Sequence, residues 1–227
     1  MSDPLVAVWL GRMGFAKALA LQLDARERLA DGQGPPILFL VEHPPTLTLG
    51  RRAARGDILW TDAQLAAAGV AVCETPRGGQ VTLHAPGQLV VYPVIKVGRY
   101  IRDHLVRLGE SAVAVLEGLG VTGAEFRMDH PGVWLGSRKL ASIGIHVRRG
   151  ITVQGLSLNL DVDSGLFFAL VSCGLAEGTV TSARAVGGAA VSVDEAARRF
   201  ARVFAEKLGS ALEWRPLAAL GRSEVDS

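Results

Sequence analysis

Two cysteines and four lysines, the latter among twenty arginines, set the nucleophilic chemistry open to this 227-residue chain. Cys73 sits with Val70 and Val72 in "VAVCET" and reads as a small core residue of a strand. Cys173 is different. It follows the apolar run "LFFALV" and precedes a glycine in "SCGLAEG", where backbone amides can approach a bound carbonyl closely. It reads either as a nucleophile or as a buried structural thiol. A nucleophilic thiol needs a group to take its proton, and His84, His146 and Lys139 are the candidates. Lys139 opens the apolar strand "KLASIGI", where burial could lower its pKa enough to leave a neutral amine. Alternatively it is a surface lysine whose stem lies along apolar neighbours.

"RGGQVTLHAPGQLVVYPV", residues 77–94, raises the complementary question of what such a nucleophile would act on. Two adjacent glycines before a strand are not needed for a hairpin. They suit the floor of a slot, with Val81–Leu83 and Leu89–Val91 as its lining and His84 at its mouth. Other chemistries lack their residues. There is no G-x-x-x-x-G-K-[ST] phosphate loop and no G-x-S-x-G elbow. The two cysteines lie one hundred residues apart, so no zinc-finger spacing exists, and no metal or cofactor is expected.

The elements that must position these residues alternate irregularly. Strand patterns run through "LVAVWL" (5–10), "ILFLVEH" (37–43), "VAVCET" and the two halves of 77–94. They resume in "GVWLG", "KLASIGIHV" and "ITVQGLSLNL", with "RRG" as a hairpin turn. Helical spacing marks Phe15–Leu29, 62–69 behind a Thr61/Gln64 capping box, Ile101–Leu119 with Gly120 as C-cap, and 193–208 behind Ser192/Glu195. The mixture lacks strict βαβ order, internal repeats or a linker. It predicts one α+β domain over 1–220, followed by a disordered tail at 221–227. A net charge of +2 gives no argument for nucleic acid. No basic-then-apolar leader or membrane-length apolar run is present, so a cytoplasmic protein with free thiols is expected. The clusters Arg51, Arg52, Arg55 and Arg148–Arg149 are either solvated surface or a landing place for an acidic partner.

Taken together, "RGGQVTLHAPGQLVVYPV", "GSRKLASIGIHVRRGITVQGLSLNL" and "SCGL" resemble the bacterial octanoyltransferase (lipoyl(octanoyl) transferase) family. "VEHPPTLTLGRRA" and "VTSARAVGG" extend the resemblance over most of the chain. It implies the biotin/lipoate protein ligase fold, with mixed sheets flanked by helices. It implies an acyl-thioester nucleophile at Cys173 and, at Lys139, the lysine that lowers its pKa. Substrate contacts are implied for Arg77, Gly78, Gly79, Gln80, Val81, Thr82, Leu83 and His84, for Ser142, Ile143 and Gly144, and for Gly155, Leu156 and Ser157. The implied partners are octanoyl-acyl carrier protein as donor, with lipoyl domains of 2-oxoacid dehydrogenase complexes and glycine cleavage H protein as acceptors. The enzyme is expected to act as a monomer, without nucleic acid or membrane. Leu83, Ala85 and Gln154 depart from the family's usual tyrosine, glycine and histidine. An octanoyl tail has seven carbons beyond its carbonyl, and burying them is worth roughly 5–6 kcal/mol at about 0.8 kcal/mol each. The rivals are an ATP-dependent lipoate or biotin ligase of the same fold, which needs no thiol, and a non-catalytic module that binds acyl carriers or lipoyl domains.

Overall fold

Alternation along the strands buries both faces of one sheet. In β1 (Leu5–Arg12), Leu5 and Ala7 enter one apolar cluster while Val6 and Val8 enter another. In β2 (Ile37–Glu42), Leu38 and Leu40 divide from Ile37, Phe39 and Val41 in the same way. A strand buried on both faces needs cover on both, and helices supply it. α1 (Phe15–Ala30) covers the second face, while α3 (Ile101–Glu117) and α4 (Val193–Leu208) pack together over the first.

The structure, a computed structural model, describes residues 3–169 and 179–220. Residues 221–227, expected to be a tail, lie outside the described residues. Besides β1 and β2, the large sheet contains β6 (Gln88–Val94), β7 (Glu125–Arg127), β8 (Gly132–Leu135), β9 (Arg138–Arg148), β10 (Ile151–Asn159) and β11 (Leu212–Trp214). Its order is β11-β1-β2-β6-β10-β9-β8-β7. β1 runs parallel to β2 and β11, and every other pairing in this sheet is antiparallel. A small sheet, β4-β3-β5, is built from β3 (Thr46–Leu49), β4 (Ala71–Glu74) and β5 (Val81–His84), with the short α2 (Asp62–Ala67) beside it. The α+β class and the single domain with mixed sheets are therefore as the sequence indicates.

Local signals also map well. Thr61 Oγ1 accepts from Gln64 N at 3.3 Å while Thr61 N donates to Gln64 Oε1 at 2.9 Å, which closes the capping box. Ser192 Oγ accepts from Glu195 N at the start of α4. Arg149 and Gly150, at φ 52° and 72°, make the β9–β10 turn. One detail is corrected: α3 ends at Gly118 in a right-handed conformation, and Gly120 turns left-handed two residues later. β3, β7 and β11, each of three or four residues, carry too little pattern to be read in advance.

His104 is a discordant group in the helical layer. It is 0% exposed on α3, packs edge-on against Phe204 of α4, and neither ring nitrogen has a hydrogen-bond partner. Burial, aided by the Arg107 charge, pushes its pKa down to about 4. The unfolded chain therefore takes up a proton near pH 6.5 that the folded chain refuses, and stability falls as pH drops from about 6.5 toward 4. His104→Leu should remove this histidine's share of that slope and hold the protein about 1–2 kcal/mol above the parent at pH 5, relative to their difference at pH 8. Urea unfolding at the two pH values checks this, and an unchanged slope would refute it.

Candidate functional site

Three separate stretches of sequence meet in one narrow cavity of about 60 Å³. The loop before β5 brings Arg77, Gly78, Gly79 and Gln80, and β5 itself brings Thr82 and His84. β9 supplies Lys139, Ser142, Ile143 and Gly144, and β10 supplies Gly155, Leu156 and Ser157. The strands are in register, with Gly155 opposite Gly144, Leu156 opposite Ile143 and Ser157 opposite Ser142. Adjacent positions of β9 and β10 thus share the wall.

Two expected contacts fall on the wrong face. Successive side chains of a strand point oppositely, so Thr82 and His84 can line the cavity only if Val81 and Leu83 do not. Val81 and Leu83 instead pack with Leu47, Ile58, Leu65 and Val70 in a separate apolar cluster. The same phase error applies to β6, where Val90 and Tyr92 line the cavity and Leu89 and Val91 belong to the core beneath α3 and α4. His84 does not stand at an open mouth either. It is 5% exposed, stacked on Phe15 with ring centroids 5.9 Å apart and edge-on to His43 at 5.5 Å.

The polar lining is tied down. Arg77 Nη2 donates to Thr48 O at 2.6 Å and to Thr48 Oγ1 at 2.9 Å, and Nη1 donates to Gly78 O at 3.0 Å. A Cβ on Gly50 or Gly79 would meet Arg77 Nη1, and one on Gly144 would meet Gly78 O at 3.1 Å and Arg77 Cδ at 3.3 Å. Several of the local glycines therefore make room for a buried guanidinium as well as for a ligand. His43 Nδ1 donates to Met13 O at 2.6 Å, so its Nε2 accepts the Tyr92 hydroxyl at 2.9 Å. Burial carries His43 down to about 4; burial, then His43, then Arg77 carry His84 down to about 3. Both rings are neutral at pH 7. Burial raises the Tyr92 hydroxyl well above its usual range.

Lys139 is no snorkelling surface residue. It is 7% exposed, its Nζ lies 5.2 Å from the centre of the Trp134 ring, and a Cβ on Gly132 would strike its Cε at 2.6 Å. Its main chain pairs with the segment after the undescribed stretch: Lys139 N donates to Thr179 O at 2.6 Å and Lys139 O accepts from Thr181 N at 2.9 Å. Cys173 itself lies outside the described residues. Cys73 is a free thiol in β4, away from the cavity lining, and partial burial raises its pKa. His146, the other candidate base, is not among the lining residues. Of the two arginine clusters, Arg149 is committed to Glu27 at 3.4 Å and Asp31 at 3.1 Å, and Arg55 to Asp62 at 2.5 Å. Among the described residues no group of His, Cys, Asp or Glu could hold a metal, and no helix is long and apolar enough to cross a membrane.

Gln154, absent from the expected contacts, also lines the cavity. It holds φ 64°, a left-handed conformation uncommon for a side-chain-bearing residue, inside β10. The β10–β6 pairing ends at Leu156 opposite Val91, and the Gln154 N–H turns to Gln22 Oε1 of α1 at 2.8 Å. Its side-chain amide reaches Thr75 Oγ1 at 2.5 Å. Gln22 is fully buried, and its own amide donates to Ala18 O at 3.0 Å.

Residues 15–205 match the lipoyl protein ligase A/B catalytic domain. An octanoyltransferase of Chloroflexus aggregans is 39% identical, over 95% of this chain and 98% of that relative. One from Maridesulfovibrio salexigens is 36% identical, over 92% and 97%. In three dimensions the chain is similar to a putative lipoate protein ligase from T. acidophilum solved with bound lipoic acid, with TM-score 0.73 at 18% identity over 95% of this chain and 89% of that one. It is also similar, more distantly, to the biotin protein ligase of Aquifex aeolicus, with TM-score 0.51 at 10% identity over 90% and 69%.

The β10 kink makes its own prediction. Gln22→Leu leaves the Gln154 N–H buried without a partner and should cost about 1–3 kcal/mol. Gln154→Gly should cost less, because release of the left-handed conformation offsets the lost amide contact by about 1 kcal/mol. Denaturant midpoints of the two variants measure the difference, and the reverse order would show that the kink is not strained.

Proposed function

The chain belongs to the octanoyltransferases of the lipoyl protein ligase A/B catalytic family, acyltransferases of protein lipoylation, and from that premise we propose how its cavity transfers octanoyl. The observation that carries the reading is that residues of three segments, 77–84, 139–144 and 155–157, line one cavity. Its lining combines the Lys139 side chain with apolar groups at Ile143, Leu156 and Val90 that could take a tail. Six residues beyond Cys173, at Thr179, the chain is hydrogen-bonded to Lys139.

The proposed reaction has two steps. Lys139, as the amine, takes the proton of Cys173, and the thiolate attacks the carbonyl carbon of an octanoyl thioester on acyl carrier protein. The carbon–sulfur bond to the carrier breaks, and the carrier leaves as a thiol with the proton from Lys139. One thioester replaces another, so the step is nearly balanced and needs no ATP. A lysine amine of a lipoyl domain then attacks the acyl-enzyme, its proton passes to Lys139, and Cys173 leaves as thiolate. The amide formed is more stable than the thioester broken, which drives transfer forward. The acceptors on this reading are lipoyl domains of 2-oxoacid dehydrogenases and glycine cleavage H protein. Within the two arginine clusters, Arg51, Arg52 and Arg148 are exposed and form no ion pair among the described residues, which leaves them to meet acidic partners, whereas Arg149 is held by Glu27 and Asp31. A rate that falls with salt is the consequence.

The thiol separates this reading from an ATP-dependent ligase. Octanoyl-acyl carrier protein without ATP should leave one octanoyl group on the enzyme, visible in the intact mass and lost to hydroxylamine. Cys173→Ala should lose the adduct and Cys73→Ala should keep it. Lys139→Arg retains the charge but cannot act as a base near neutral pH, and should slow transfer by about 100-fold or more. If no adduct forms and transfer requires free octanoate with ATP, the covalent route is wrong.

A further inference from the structure

We propose that His84 Nε2 is a fixed hydrogen-bond acceptor in the cavity, held in that role by the chain Thr181–Asn159–Gln88, and that it receives a substrate N–H beside the reacting carbonyl. The polarity of the chain is set at both ends by the backbone. A main-chain carbonyl can only accept, so Asn159 Nδ2 must be the donor to Thr181 O at 2.9 Å. Asn159 Oδ1 is then the acceptor at its other end, and Gln88 Nε2 donates to it at 2.8 Å. Gln88 Nε2 also donates to Leu83 O at 3.2 Å, a second carbonyl that fixes the same orientation independently. Gln88 Oε1 is left as an acceptor, and His84 Nδ1, 2.8 Å away, must carry the hydrogen. In a neutral imidazole the other nitrogen is then a bare lone pair.

That lone pair is available. His84 Nε2 makes no hydrogen bond to any described residue, and the ring lines the cavity while being 5% exposed. Gln88 and Asn159 are also buried, so an acceptor has been built at the cost of ordering and desolvating two amides. Nor is the ring a base. Burial beside His43 and Arg77 keeps it unprotonated at neutral pH, so it accepts a hydrogen bond without taking the proton. A purely apolar tail gives such an acceptor nothing to bind.

The ligand chemistry follows, and here the inference rests on the acyl transfer proposed above. An octanoyl group has no N–H. Two N–H groups come beside its carbonyl during the reaction: the amide two carbons from the thioester sulfur in a carrier's cysteamine arm, and the amine of the incoming lysine. His84 orients whichever of these it meets, while Lys139 handles protons. Gln88 and Asn159 are positioning residues that act through it.

Long-range nitrogen–proton NMR of the parent protein tests the first half. The His84 ring should be protonated at Nδ1 and should not titrate between pH 5.5 and 8. An Nε2-protonated or titrating ring would overturn the proposal whatever the enzyme's activity. Gln88→Met tests the second half, because it removes the acceptor for Nδ1–H and frees the ring to take the other tautomer. With octanoyl-S-N-acetylcysteamine as donor, loading of the enzyme should slow about 3- to 10-fold if the cysteamine amide is the ligand. The parent should then also prefer this donor to the thioester in which an ester oxygen replaces the acetamide N–H. If the lysine amine is the ligand, loading is unchanged and discharge to a lipoyl domain slows by the same factor. Equal rates in both steps, with the parent reacting alike with amide and ester donors, would mean that Nε2 holds water only, and would sink the ligand claim. Asn159→Met, which breaks the chain one link further away, takes the place of Gln88→Met if that variant does not fold. A parent enzyme that never loads would refute the acyl-transfer reading instead, and would leave the NMR result standing on its own.

Discussion

A guanidinium inside the protein needs several acceptors at fixed positions, and the cavity is organised around meeting that demand for Arg77. Its hydrogen bonds to Thr48 O and Oγ1 reach the central strand of the small sheet, and its bond to Gly78 O folds the loop back on itself. Gly78 N in turn donates to Ile145 O of β9, which belongs to the large sheet. One buried cation thus fixes the junction of the two sheets that form the cavity walls. The glycines follow from this geometry, since Cβ atoms at 50, 79 and 144 would occupy the space of the Arg77 side chain or of the loop it holds. Leaving such a cation without its acceptors would be strongly destabilising, so the junction has little freedom to vary.

The same charge shapes the electrostatics. After burial, and after the mutual effect of the two histidines, Arg77 adds a further push that keeps His84 neutral. A wall that carries the Arg77 guanidinium, Lys139, a neutral imidazole and a protonated tyrosine offers no negative charge to a ligand. It therefore suits a group that gains negative charge, such as a carbonyl under nucleophilic attack, and it keeps the imidazole unprotonated. The network behind the wall also sets direction. His43, Tyr92 and Met13 form one chain of known polarity; His84, Gln88, Asn159 and Thr181 form another.

How much of this was legible in the sequence depended on the length of the pattern. β1, β2, β9, β10 and the long helices were readable because five or more apolar positions repeat at the right period, whereas β3, β7 and β11 offer three or four residues each. Six residues of the block 77–84 line a cavity, but Val81 and Leu83 do not. Val81 and Leu83 suggested an apolar slot because they are apolar, but a period of two sends Thr82 and His84 to the same side and the valine and leucine away from it. Both choices of face bury something, so composition alone could not decide between them. Gln154 was noticed only as a departure from the family. Its left-handed backbone is held by Gln22 on α1 and Thr75, partners 132 and 79 residues distant that no local pattern contains.

Lys139 shows how a side chain and a distant segment come to share one position. The lysine stem crosses Gly132, where only a hydrogen leaves room, and its amine meets the face of Trp134, whose indole N–H is anchored to His130 O at 3.0 Å. The β8–β9 register shifts between Val133 and Trp134, so the ring lies opposite Lys139 rather than one residue away. On its main-chain side the same residue holds Thr179 and Thr181 by two hydrogen bonds. Asn159 grips Thr181 a second time and passes the constraint to Gln88 and His84. The amine of Lys139 and the ring of His84 are therefore referenced to one short strand-like segment, residues 179–181. A displacement of that segment would move the amine's backbone anchor and the ring's tautomeric partner together, which makes it the physical link between these two lining side chains.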